Sequence, residues 1–176
     1  LAELKSISCL VEREGSISSF SPRNVQFSES HADHEKRVKK LERYLDVTKA
    51  ELFFARKLIL VEGAAELMLV NVIAKRLGYD LNNHAVSVIS VDGLNFDCFL
   101  PLMGEGRLNI PVAVLTDADP SIEDPDGRKT KKALYPSLDD ELVISDNTIL
   151  LKRSEDSLVK VFHGVKTFEY DLAIHE

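Results

Sequence analysis

Residues 57–66 read KLILVEGAAE, and the order of residues in that stretch decides the fold. Leu58, Ile59, Leu60 and Val61 form a short apolar run without alternation, the pattern of a strand covered on both faces in a parallel sheet. Glu62 follows at the carboxyl end of the run and Gly63 permits a tight turn. From Ala64 the sequence AAELMLVNVIAKRLG has helical spacing, ending near Gly78. In an open α/β sheet, such a strand-to-helix turn is where ligands bind. Glu66 stands four residues after Glu62, in the first helical turn, where the positive end of the helix dipole favours a carboxylate. Two acids are therefore expected to face one crevice.

Two similar runs follow. Residues 85–91, AVSVISV, predict a second core strand closed by Asp92-Gly93, residues 95–104 have a helical pattern, and residues 111–116, PVAVLT, predict a third strand. The order β, α, β, α, β implies a mainly parallel sheet with right-handed crossovers. The third strand runs into TDADP. Asp117 and Asp119 are two apart, so an extended backbone would point both side chains the same way. Crowded like charges are costly unless a cation or a proton compensates them, and a divalent metal is the simplest answer. The structural alternative makes Asp117 a helix cap and Asp119 a turn residue before Pro120. Asp92 is a reserve ligand, with a turn role beside Gly93 as its plainer reading.

Outward from this core, residues 5–20 contain two strand-like runs around Glu14-Gly15, a hairpin too small to be stable alone. Residues 31–44 predict a helix with a narrow apolar stripe of Val38, Leu41 and Leu45. Lys36, Arg37, Lys39, Lys40 and Arg43 fall largely on its other faces, as a solvated surface or a nucleic-acid contact. His31 and His34 could share a metal only with further ligands that the pattern lacks. Thr48 to Glu51 has capping-box spacing before a short helix that leads into the first strand. Residues 120–136 predict a loop, whose Arg128, Lys129, Lys131 and Lys132 could hold a phosphate backbone or simply be solvated. Residues 138–143 suggest a short helix, and residues 148–152 and 158–162 two more strands around the SEDS turn. Residues 166–174, KTFEYDLAI, suggest an extended segment on which Glu169 and Asp171 alternate onto one side, with ordinary surface acids as the alternative.

With 176 residues and 44% hydrophobic content, the chain can bury a sizeable core. No apolar run approaches the roughly 20 residues that a bilayer span needs, and no signal-peptide pattern opens the chain, which points to a cytoplasmic setting and no membrane partner. Cys9 and Cys98 are isolated, consistent with a reducing compartment and not with a disulfide framework or a zinc site. A formal net charge of −7 argues against polyanion binding over the whole surface. Cation-holding acids would themselves bias that total. The chain opens at Leu1 and stops at Glu176 straight after an apolar pattern, as a fragment of a longer protein would.

An acid at the end of strand one, a glycine turn into a helix and a DxD at the end of strand three together resemble a Toprim domain, the metal-binding module of topoisomerases, bacterial primases and some nucleases. VEGAAE and TDAD carry the resemblance, with Glu62 as the family's glutamate and Asp117 and Asp119 as its paired aspartates. More closely, LDVTKAELFFARKLILVEGAAE, VSVISVDG, IPVAVLTDAD and KTFEYDLA, in that order over residues 41–174, resemble the carboxyl-terminal region of overcoming-lysogenization-defect (OLD) family nucleases.

That resemblance implies an α/β, Rossmann-like Toprim fold with a central mainly parallel sheet flanked by helices, preceded by a short hairpin and helical segment. Residues 1–30 would be the tail of a preceding ATPase domain, 31–54 connecting helices, and 55–176 the Toprim nuclease domain, truncated at its carboxyl end. ATP would bind only in the missing domain, since no GxxxxGK[ST] phosphate loop occurs here. A homodimer would form through that same missing domain. The implied activity is DNA endonuclease or nickase chemistry with two ions of Mg²⁺ or Mn²⁺ about 4 Å apart. Glu62 and Asp117 would be central ligands, with Glu66, Asp119 and the Glu169/Asp171 pair completing the sites. One ion would activate water and the other would stabilise the departing 3′ oxygen.

The alternative is a non-cleaving, metal-dependent DNA-binding or regulatory module of the same fold. Topoisomerase action would require a tyrosine nucleophile, and Tyr44, Tyr79, Tyr135 and Tyr170 lie in no such context. A DxD phosphatase would make no demand for VEGAAE upstream.

Overall fold

The computed structural model describes residues 3–13, 15–45, 49–123, 126, 128–137 and 142–175. Its centre is a four-stranded sheet of β3 (Lys57–Val61), β4 (Val86–Ser90), β5 (Val112–Leu115) and β8 (Val159–Phe162), in the spatial order β4-β3-β5-β8. Every neighbouring pair is parallel, with Leu60 opposite both Ile89 and Val114, and Val114 opposite Val161. The three strands expected from residues 58–61, 85–91 and 111–116 are therefore all present, and so is the strand expected at 158–162. Chain order reverses direction between β3 and β5: β4 lies on one side of β3, and everything after it on the other. That is the switch point at which the strand ends of an open sheet leave a crevice.

One face of the sheet is deeply covered. Leu58, Leu60, Ile89, Val91, Val112 and Val114 are buried there with Val159 and Val161. They join a single apolar cluster with Leu4, Phe20 and Phe27, with Leu41 of α1 (His31–Tyr44) and its C-cap Leu45, and with Leu52. The antiparallel hairpin of β1 (Cys9–Arg13) and β2 (Ser16–Phe20) thus has a core to lean on, as a lone hairpin requires. Gly15 in its turn has φ +78, while Glu14 lies outside the described residues. The α1 stripe behaves as expected, with Leu41 and Leu45 buried and Val38 packed against the cluster. His34 accepts the Phe27 N–H on Nδ1 at 3.2 Å, a structural use of that ring. A short 3-10 helix, Lys49–Phe53, follows, but Thr48 of the expected capping box lies outside the described residues.

Helix α2 (Ala64–Arg76) packs against β4, and its only buried residue is Glu66. Met68 and Val72 on this helix are exposed, as is Phe162 on the edge strand β8. Among the described residues no helix is long and apolar enough to cross a membrane.

Four expectations are corrected. Residues 148–152 are not a strand: α4 (Asp146–Lys152) starts at Ser145, whose hydroxyl accepts the Thr148 N–H at 3.2 Å. The cap signal in SDNT prevails over the apolar run behind it. Residues 166–174 are not extended: α5 (Phe168–Ile174) is capped by Thr167, whose hydroxyl accepts the Tyr170 N–H. The expected loop at 120–136 contains an antiparallel pair, β6 (Ser121–Glu123) with β7 (Lys129–Lys132). The helix expected over 95–104 shrinks to α3 (Phe96–Phe99) and a 3-10 turn, Leu100–Leu102, because Pro101 supplies no N–H donor to continue it. Most of the expected helix at 138–143 lies outside the described residues.

Candidate metal centre

β3 delivers Glu62 and β5 delivers Thr116 and Asp117 to the same end of the sheet, on the two sides of the switch point. The Glu62 Oε2 atom accepts the Thr116 hydroxyl at 3.1 Å and the Asp117 backbone N–H at 3.3 Å. Glu66, buried in the first turn of α2, accepts the Gly63 N–H on Oε2 at 3.1 Å. Asp117 in turn accepts the Phe168 N–H of α5 on Oδ1 at 3.0 Å. Each of the three carboxylates is thus held through one oxygen, and no described residue hydrogen-bonds to the other.

Burial pushes the Asp117 carboxyl up to about 7. The Phe168 N–H works against that rise, and the charges of Glu62, Glu66 and Asp119 add to it. Three acids from three segments therefore act electrostatically on Asp117. Asp119 arrives differently from expectation. Strand β5 stops at Leu115 and Asp119 has φ +43, so an extended backbone does not align it with Asp117. Aspartate tolerates this left-handed conformation better than most residues. Gly63 has φ −144, an extended conformation open to any residue, so a left-handed turn is not what places glycine there.

Later segments clamp the DxD loop. The Ala118 and Asp119 N–H groups both donate to the Lys166 carbonyl, at 2.8 and 3.2 Å. The Ser145 N–H donates to the Ala118 carbonyl at 2.9 Å, and the Thr148 hydroxyl to the Asp117 carbonyl at 2.7 Å. Sequence reasoning missed Thr116, Ser145, Thr148 and Lys166. The SDNT cap could have revealed the middle two, but nothing local announces the others. Asp92 takes the turn role: its φ is +55, its carboxylate accepts the Ser90 hydroxyl at 3.0 Å, and the Gly93 N–H reaches the Glu62 carbonyl at 2.7 Å.

Glu169 and Asp171 lie on α5, where a spacing of two residues places side chains on nearly opposite sides. Glu169 is exposed. Asp171 Oδ1 accepts the Val165 N–H at 2.8 Å and the Lys166 N–H at 3.4 Å, against Gly164. Lys166 Nζ lies over the Tyr170 ring, 5.0 Å from its centre.

The donor chemistry of the four central acids fits a hard divalent cation: oxygen ligands alone, one of them destabilised as an anion by its surroundings. Among the described residues, no three His, Cys, Asp or Glu side chains are gathered closely enough to hold an ion as they stand.

The fold and the site together define a parallel α/β domain with acids grouped at its switch point. Residues 53–119 match the family model described as overcoming lysogenization defect protein-like, TOPRIM domain. Over those residues the chain is similar to the Toprim domain of overcoming-lysogenization-defect-like proteins. Among solved structures it is similar to the C-terminal region of the Burkholderia pseudomallei OLD protein, at 29% identity over 66% of this chain and 56% of that one, TM-score 0.48. Two structures of the C-terminal region of the Xanthomonas campestris pv. campestris OLD protein match at 30% and 31% identity, with TM-scores of 0.42 and 0.41. They cover 65% and 64% of this chain and 53% of each of those. The chain thus spans little more than half of the solved regions it matches. No curated protein matches it.

Proposed function

We propose that residues 55–176 are the nuclease domain of a larger ATPase–nuclease and that they hydrolyse DNA phosphodiester bonds with Mg²⁺ or Mn²⁺. The observation that supports this best is the pairing of Glu62 with Asp117 across the switch point, with Asp117 raised to about 7 by burial and its acid neighbours. In this reading Glu62 and Asp117 are the central ligands, and Glu66 and Asp119 complete two sites. Glu169 and Asp171 are outer candidates, and Asp171 would have to release the Val165 and Lys166 amides to take part. Residues 1–30 belong with a preceding ATPase domain, which binds ATP and mediates a homodimer, and 31–54 connect the two.

Bound divalent ions supply the positive charge that stabilises the phosphodiester as it is hydrolysed. The chain orients their ligands. Thr116 and the Asp117 N–H hold Glu62 by Oε2 and leave Oε1 for a cation. The Phe168 N–H does the same for Asp117 Oδ1, leaving Oδ2. Ligands locked in this way need less reorganisation when the ion enters.

Plasmid nicking with Mg²⁺, Mn²⁺ or chelator tests the reading, beside Glu62→Ala and Asp117→Ala checked for folding by circular dichroism. Metal-dependent nicking lost in both folded variants is the expected result. A second reading is a DNA-binding module of the same fold that holds metal without cutting. Calorimetry separates it: metal binding abolished by both substitutions without any nicking supports this second reading, and no metal binding at all overturns both.

A further inference from the structure

A cavity of about 740 Å³ opens on the covered side of the sheet, between α1, the segment after β4, and α4. Part of its wall is apolar, formed by Phe96, Leu100, Pro101, Met103, Leu151 and Val159, with the half-exposed Leu94 and Leu150 at its edges, and the rest is polar or charged. The volume falls in the range of roughly 300–1,000 Å³ that holds small organic ligands. None of Glu62, Glu66, Asp117 or Asp119 lines it.

Its polar groups divide into those already engaged and those left over. Arg37 pairs with Asp97 at 3.2 Å and donates to the Phe27 carbonyl at 2.7 Å. Asp156 accepts the Leu158 and Val159 N–H groups on Oδ1, both at 2.7 Å. Lys40 and Arg107 make no ion pair with any described residue, and the carboxamides of Gln26 and Asn147 have no hydrogen-bond partner among the described residues. Arg107 acts on the Asp156 carboxylate and Lys40 on the Cys98 thiol, but neither cation is held in a salt bridge among the described residues, and in a protein of net charge −7 two such cations at a partly apolar cavity suit an anion with an apolar body. The exposed carboxamides of Gln26 and Asn147 at its rim offer donors and acceptors that the edge of a heterocyclic base can match and a plain aliphatic acid cannot.

We propose that this cavity is a nucleotide site, with the base among the apolar walls, its edge on Gln26 or Asn147, and its phosphate on Lys40 or Arg107. The nucleotide is either free or the terminal residue of a DNA strand. The site stands independently of the metal reading, because none of the four central acids contributes to it.

Calorimetry in chelator, with deoxyadenosine 5′-monophosphate and a 5′-phosphorylated tetranucleotide as probes, tests this on the chain and on the Lys40→Glu, Arg107→Glu double variant. Saturable binding of either probe is expected, weakened at least about tenfold by the double charge reversal and unchanged by Glu62→Gln. Binding of the tetranucleotide alone identifies the strand end as the source, and binding of the monophosphate identifies the free nucleotide. The proposal is overturned if neither probe binds or if a natively folded double variant binds as the parent does. It also fails if inorganic phosphate binds as tightly as the nucleotide, or if Glu62→Gln removes binding and so places the ligand at the acids.

Discussion

The backbone N–H of Asp117 donates to Glu62 Oε2 at 3.3 Å, which joins the end of β5 to the end of β3 through a carboxylate that also takes the Thr116 hydroxyl. Glu62→Gln keeps an acceptor for both donors and removes only the charge. It is expected to abolish divalent-cation binding while leaving the unfolding temperature of the metal-free chain unchanged or raised. Thr116→Val removes one of the two bonds, and a drop of about tenfold in cation affinity is expected. Calorimetry with Mn²⁺ beside thermal unfolding in chelator reads both. Undiminished affinity in Glu62→Gln would remove Glu62 from the ligand set.

The raised pKa of Asp117 ties stability to pH. Burial, reinforced by Glu62, Glu66 and Asp119, moves its carboxyl from 3.8 to about 7. The folded chain therefore holds a proton that the unfolded chain has lost between those values. The stability this contributes is full below pH 3.8 and is lost as pH rises through about 7. In chelator, Asp117→Asn should match the parent near pH 4, the unfolded-state end of the window. It should exceed the parent by about 1–2 kcal/mol at pH 8.5, a figure reduced for a half-buried site. Urea unfolding at the two values checks this, and a parent more stable than the variant at the higher pH would contradict it.

Metal binding should release a proton for the same reason. Between about pH 6 and 7 a cation must displace the Asp117 proton, so affinity is expected to climb with pH there and to level off above. Titrations in buffers of different ionisation enthalpy count the protons. No proton release at pH 6 would mean that Asp117 is not a ligand.

Asp171 fixes the loop whose Lys166 carbonyl holds the DxD backbone. A Cβ on Gly164 would collide with the Asp171 carboxylate, so Gly164→Ala cannot be accommodated without displacing that carboxylate. Asp171→Ala removes the acceptor for the Val165 and Lys166 N–H groups. Each substitution should cost about 1–3 kcal/mol by urea unfolding. If Asp171→Ala instead left stability intact and removed metal binding, Asp171 would be a ligand.

The α4 cap can be probed separately. Ser145→Ala removes the acceptor for the Thr148 N–H and should cost about 1 kcal/mol. Thr148→Val leaves that cap in place but deprives the Asp117 carbonyl of its 2.7 Å donor. Its cost should also be about 1 kcal/mol, with cation affinity falling alongside stability. Equal affinity in both variants and the parent would show that the clamp serves the fold alone.

Much of the fold was legible in single stretches. β3, β4 and β5 carry compact apolar runs, and α1 and α2 carry helical spacing, so their residues declare their own conformation. The acids at the strand ends were legible for the same reason: a strand end places its next residue at the crevice. α4 and α5 were misread because short apolar runs suit strand and helix equally. The deciding signal was a single cap residue, Ser145 or Thr167. Asp119 was misplaced because alternation holds only while the backbone stays extended, and β5 ends before it.

By itself the sequence determined that a parallel sheet forms and that Glu62, Glu66 and the two aspartates lie near its carboxyl edge, because apolar periodicity and turn chemistry act over a few neighbouring residues. Only the tertiary structure decided that β3 and β5 are neighbours across the switch point, that Thr116 and Phe168 orient the acids, and that Asp171 binds loop amides. Those outcomes depend on contacts between residues tens of positions apart, which exist only once burial of the shared core from Leu4 to Val161 has brought the segments together.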